Sequence, residues 1–189
     1  MDSLLPALIA ALIAGATDRP AWLAAILGER FGKRTGVILG VIAAQVAIMG
    51  AALAGALAVR GMMTPNARSL IFGLALVFAG AGALMPAKPP RDRLDGWRIG
   101  ALPTSALGIF ILAFGERVQF VGFGAAAWGG SPLLAAAGAA IGAIVAGLVA
   151  ATLGEREWRR LPLRAIGLAG GAMLVLAGLV MALGGLRLI

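Results

Sequence analysis

Six apolar stretches, at roughly residues 4–27, 36–59, 67–86, 100–127, 132–153 and 164–184, alternate with short charged connections. Crossing the hydrocarbon core of a bilayer takes about 20 residues of helix, so each stretch is long enough. Lipid offers the backbone no hydrogen-bond partner, which leaves the α-helix as the conformation for every one of them. The expected fold is therefore all-α: a polytopic membrane protein of six transmembrane helices with no soluble domain. Composition agrees. The 189 residues are 61% hydrophobic and 13% charged, where a soluble domain carries about 25% charge.

The net charge of +8 does not mark a nucleic-acid surface, because the basic residues are scattered among the connections. Their distribution instead sets an orientation. Connections after spans one, three and five hold eleven: Arg30, Lys33, Arg34, Lys88, Arg91, Arg93, Arg98, Arg156, Arg159, Arg160 and Arg164. The other side holds three: Arg60, Arg68 and Arg187. The positive-inside rule then places the odd connections in the cytoplasm and both termini outside. The Ala- and Arg-rich, Lys-poor composition fits a bacterial inner membrane. The start of the chain reads as a mature span rather than a signal peptide. It has Asp2 and no basic residue before the apolar run, and apolar character resumes after Arg19. Trp22, Trp97, Trp128 and Trp158 lie toward span ends, as an interfacial belt predicts.

Four charges violate this pattern. Asp18 and Arg19 interrupt the first stretch, and Glu116 and Arg117 interrupt the fourth. An ionised side chain at mid-bilayer costs about 2.5–3.5 kcal/mol on insertion scales, so such groups are kept for a reason. The two acid–base pairs lie 98 residues apart, and that offset superposes the halves without gaps. Gly40 falls on Gly138, and Gly73-Leu-Ala-Leu-Val-Phe-Ala-Gly80 falls on Gly171-Ala-Met-Leu-Val-Leu-Ala-Gly178. Three spans per half force opposite orientations, giving a 3+3 inverted repeat: residues 1–86, a cytoplasmic linker over 87–99, and residues 100–189. Folds of this kind bind substrate near the midplane, where the repeats meet.

Adjacent helical residues do not face each other, so pairing inside each dipeptide is disfavoured. A twofold relation between the halves predicts crossed pairs, Asp18 with Arg117 and Glu116 with Arg19. Backbone signals flank both: Thr17 and Pro20 at the first, Gly115 at the second, each expected to break its helix. Gln119 adds an amide oxygen one turn after Glu116. Gln45, in the second span, is expected to make an interhelical hydrogen bond. Gly40 with Ala44, and Gly138 with Gly142, form small-residue stripes for close helix packing.

These residues resemble the transmembrane protein 165 family of cation/proton exchangers. Its six core spans form two inverted halves, and each half carries E-x-G-D-(K/R)-(S/T) in its first span. The matching stretches are Gly15-Ala16-Thr17-Asp18-Arg19-Pro20 and Ala113-Phe114-Gly115-Glu116-Arg117-Val118. Gln119 matches a Gln that commonly follows the second motif. The leading Glu of each motif is replaced, by Gly15 and Ala113. The hydroxyl positions are Pro20 and Val118, and the second acid is Glu116 in place of Asp. The resemblance implies a secondary transporter of manganese or calcium in exchange for protons. Asp18 and Glu116 would be the metal and proton ligands, with Gln119 beside them. Arg19 and Arg117 would close the empty site as ion pairs.

No resident cofactor is expected, only a transported Mn2+ or Ca2+. Partners are the lipid bilayer and small inorganic ions, with no nucleic acid; a homo-oligomer stays open. Two alternatives remain: a non-transporting scaffold or subunit in which the four charges are structural, and an exporter of another small solute such as an amino acid. An enzyme is not expected. The chain has no His and no Cys, and neither H-E-x-x-H nor G-x-S-x-G occurs.

Overall fold

The structure is a computed structural model that describes residues 3–32, 34–85, 90, 94, 96, 97 and 99–188. Among the described residues every regular element is an α-helix, and there are eight: α1 (Leu4–Ala16), α2 (Arg19–Phe31), α3 (Arg34–Arg60), α4 (Pro65–Leu84), α5 (Ala101–Ala113), α6 (Arg117–Trp128), α7 (Pro132–Arg160) and α8 (Leu163–Gly185). Four of them, α3, α4, α7 and α8, are long and apolar enough to cross a membrane. The other four are too short alone, because 12 or 13 residues at 1.5 Å each reach only about 20 Å. They form two bent pairs, α1 with α2 at 64° and α5 with α6 at 70°, which raise the candidate spans to six if each pair is one span. The chain is thus a multi-pass membrane protein of four to six spans. Both bends fall at the charged dipeptides.

Helix starts follow local chemistry. Pro65 and Pro132 open α4 and α7, where a missing N–H leaves nothing unpaired. Thr64 caps α4 by accepting the Ala67 N–H. α7 runs past the expected end near 153 to Arg160, with a break at Gly154, whose φ is +77°. Glu29 on α2 accepts the Arg156 N–H just beyond that break.

Large apolar side chains point outward, among them Leu57, Phe78, Met173, Leu176 and Val180, while Ala dominates the interior. Helices in lipid gain little from hiding apolar surface from one another, so close backbone approach holds them together. Four glycines make this approach between α4 and α8. A Cβ on Gly73 would lie 2.7 Å from the Gly178 carbonyl oxygen, and one on Gly178 would lie 2.6 Å from that of Gly73. Gly80 and Gly171 are related in the same way, at 2.6 and 2.8 Å. The partner number falls as the first rises, so α4 and α8 run antiparallel. The 98-residue offset converts Gly73 into Gly171 and Gly80 into Gly178, so the two contacts are one contact with the halves exchanged.

The same exchange holds elsewhere. Gly40 on α3 lies against the Leu102 carbonyl of α5, and Gly138 on α7 lies against the Leu4 carbonyl of α1. The bent pair of each half therefore packs on the first long helix of the other half. These stripes act as the small-residue spacing predicts.

One expectation needs correction. Trp22 and Trp158 are buried among Leu27, Val37 and Ala150 rather than sitting in a lipid-facing belt. Each indole is flat enough to fill the space that small neighbours leave. Within the 87–99 segment, Leu94 packs against the cluster that holds Leu23, beside Gly108, and its carbonyl accepts a bond from Arg30. The expected roles of Lys33, Lys88, Arg91, Arg93 and Arg98 lie outside the described residues.

Candidate functional site

The first break contains Thr17 and Asp18. Asp18 is extended, with φ −85° and ψ 158°, and its Oδ1 accepts the Arg19 N–H at 3.0 Å, capping α2. Pro20 stands in the first turn of α2. It was expected to break a helix by removing a hydrogen bond; instead it begins one, at a position whose N–H has no intrahelical acceptor. Thr17 was expected to help break the helix, yet its Oγ1 is buried without a partner. It is the Thr17 carbonyl that contributes.

The second break reproduces the first. Glu116 has φ −83° and ψ 167°. The Asp18 N–H donates to the Gly15 carbonyl and the Glu116 N–H to the Ala113 carbonyl, at 3.2 and 3.1 Å. Both pairs of positions differ by 98. The copies diverge in one respect. The second break is a residue longer and turns through Gly115, whose φ of +81° is open to glycine at little cost. Glu116 makes no cap. Gln119 bends back instead, and its Oε1 accepts the Gly115 N–H at 2.6 Å. The oxygen expected to serve an ion is thus engaged in holding the turn.

Each break aligns the carbonyl end of one helix with the N–H end of the next, so partial charges of both signs converge there. The charged side chains cross between the breaks. Arg117 Nη2 lies 3.0 Å from Asp18 Oδ1 and 3.1 Å from the Thr17 carbonyl oxygen. Arg19 Nη1 lies 3.8 Å from Glu116 Oε1. The two pairs differ in environment: the Asp18 and Arg117 side chains are 2% and 16% exposed, those of Glu116 and Arg19 24% and 61%. The first pair is a buried, well-formed ion pair, and the second is loose. Gly82 on α4 explains part of the difference. A Cβ there would lie 2.6 Å from Arg117 Cδ, so the absent side chain is the channel through which Arg117 reaches Asp18.

Asp18 and Glu116 line one small cavity together with Gly15, Gln45, Gln119 and Gly147. The space open to a water centre is about 10 Å³, roughly one molecule. Three oxygen-bearing side chains, Asp18, Gln45 and Glu116, are among its lining. Asp18 Oδ2 and Gln45 Oε1 are buried and have no hydrogen-bond partner, and Glu116 supplies the third group. Gln45 was expected to make an ordinary interhelical bond, and its signal, an amide in mid-span, carried no direction. Hard cations are held by such carboxylate, amide and carbonyl oxygens. Among the described residues no three His, Cys, Asp or Glu side chains converge, so Asp18 and Glu116 are the whole anionic complement. Compared with known proteins, the chain matches no family model, no curated protein and no solved structure.

Proposed function

We propose that the protein is an integral membrane secondary transporter that exchanges a small divalent cation, Mn2+ or Ca2+, for protons at Asp18 and Glu116. The observation that carries this reading is the position of the Arg117 guanidinium. It sits between a carboxylate and the carbonyl end of α1, the donors that would hold a metal cation. Arg117 is in effect a tethered cation occupying an oxygen-lined site. With both arginines inward the four charges cancel. With both swung out, two carboxylates remain, matched in charge by one divalent cation or two protons. Alternation between those occupants amounts to electroneutral exchange, and the arginines keep the empty site from standing open as a bare dianion.

The repeat contacts support a six-span, 3+3 inverted architecture in which each bent pair is one broken span. Discontinuous helices that present backbone charges at a repeat interface are a recurring device of secondary transporters. The motif resemblance to the transmembrane protein 165 family points the same way. The basic residues favour a bacterial cytoplasmic membrane with both termini outside.

The small size of the cavity favours a second reading, in which the four charges are a static lock between the halves of a non-transporting scaffold. Thermal unfolding of the purified protein distinguishes the two. An ion that binds the folded state at 100 times its Kd stabilises it by about 2.7 kcal/mol. Exchange requires Mn2+ or Ca2+ to raise the Tm of the wild type and not of Asp18→Asn. No shift with either ion supports the lock.

A further inference from the structure

An apolar groove runs along the outer surface between α4 and α6, lined by Ile71, Leu74, Ala75, Phe78, Phe120 and Phe123. Its volume is ≈ 470 Å³, and it is open along one side. The helices are antiparallel here: Phe72 stacks on Trp128 near one end, and Gly124 packs against Phe72 and Ala75. Phe78 and Phe120, 69% and 56% exposed, line its far end.

Two arginines stand just beyond the other end of the groove. Arg68 precedes Ile71, Ala75 and Phe78 at intervals of three, seven and ten residues, which is one face of α4. Arg60, at the end of α3, donates to the Ala126 carbonyl, one turn past Phe123 on α6. Arg68 Nη2 donates to the Arg60 carbonyl at 2.9 Å, and its Nε is buried without a partner. Each guanidinium thus gives a hydrogen bond to a backbone carbonyl. Among the described residues neither is paired with an acid. Two positive charges are left at the mouth of an apolar groove.

We propose that this groove holds one anionic phospholipid, with its phosphate on Arg60 and Arg68 and an acyl chain against Phe78, Phe120 and Phe123. Length selects the occupant. From Arg68 to Phe78 is ten residues, about 15 Å of helix, half of a hydrocarbon core about 30 Å thick. That matches a chain from a single leaflet, whereas a docking transmembrane helix would use a groove spanning the whole core. Charge selects the headgroup, because two arginines with spare N–H donors suit a phosphate oxygen cluster.

The test is lipid retention by the full chain in detergent, read by native mass spectrometry. Phosphatidylglycerol and phosphatidylcholine with identical acyl chains are offered in equal amounts. The wild type is expected to retain phosphatidylglycerol at least tenfold over phosphatidylcholine. Arg60→Gln/Arg68→Gln should abolish that preference. Leu74→Trp fills the groove without touching either arginine, so it should lower phosphatidylglycerol retention at least fivefold even if the double variant fails to fold. Equal retention of both lipids by the wild type overturns the proposal, as does unchanged retention in Leu74→Trp. Displacement of the lipid by excess inorganic phosphate would show a free-anion site and also overturn it.

Discussion

Arg117, in the second helix break, places its Nη2 3.0 Å from the carboxylate of Asp18 in the first. The pair ties two halves of the chain together through a buried contact, 99 residues apart in sequence. Removing one member of a buried pair strands the other, at a cost of about 3–5 kcal/mol. Asp18→Asn should therefore destabilise the protein by about that amount in reversible unfolding. Asp18→Asn/Arg117→Gln should recover part of the loss, because no charge is left stranded. A double variant as unstable as the sum of its singles would remove the coupling.

The symmetry-related pair should behave differently. Arg19 is mostly exposed and lies 3.8 Å from Glu116, a geometry worth at most about 1 kcal/mol. Arg19→Gln should change unfolding stability by less than about 1 kcal/mol. A loss equal to that of Asp18→Asn would mean that the two pairs are energetically alike.

Gly82 makes a sharper case. Its Val variant should push on Arg117 Cδ and weaken the bond to Asp18. Overpacking of this kind costs about 1–3 kcal/mol. The effect should largely vanish when Arg117→Ala is already present, as a double-mutant cycle on stability would reveal. A full-size effect in that background would place the clash elsewhere.

The α4–α8 seam predicts equivalence between halves. Gly80→Ala and Gly171→Ala each set a methyl group against a partner carbonyl, and each should destabilise by about 1–3 kcal/mol. Gly50→Ala on α3 is the control, since a Cβ there meets nothing within 4 Å. It should leave stability unchanged or raise it by up to about 1 kcal/mol. Equal effects at all three glycines would argue against a seam.

Hydropathy made the helical segments legible, since a run of about 20 apolar residues has few other folds open to it. The breaks were legible as well. Charges in mid-span needed partners, and the 98-residue offset named them. What stayed hidden depends on shape. No local signal separated the tight Asp18–Arg117 pair from the loose Arg19–Glu116 pair. That difference comes from the space at Gly82 and the extra residue in the second break. The direction of Gln45 depended on how α3 is rotated against its neighbours, which a helix apolar on most sides does not encode. Trp22 read as an interface residue because its side chain suits both membrane boundaries and cores, and only packing decided between them.

The most direct measurement is Mn2+ and Ca2+ flux into proteoliposomes under an imposed pH gradient, for the wild type, Asp18→Asn and Glu116→Gln. Exchange at the two breaks predicts flux that follows the proton gradient in the wild type and falls at least tenfold in each variant. Absence of wild-type flux for both ions would contradict cation exchange. Equal flux in all three proteins would take Asp18 and Glu116 out of the transport step.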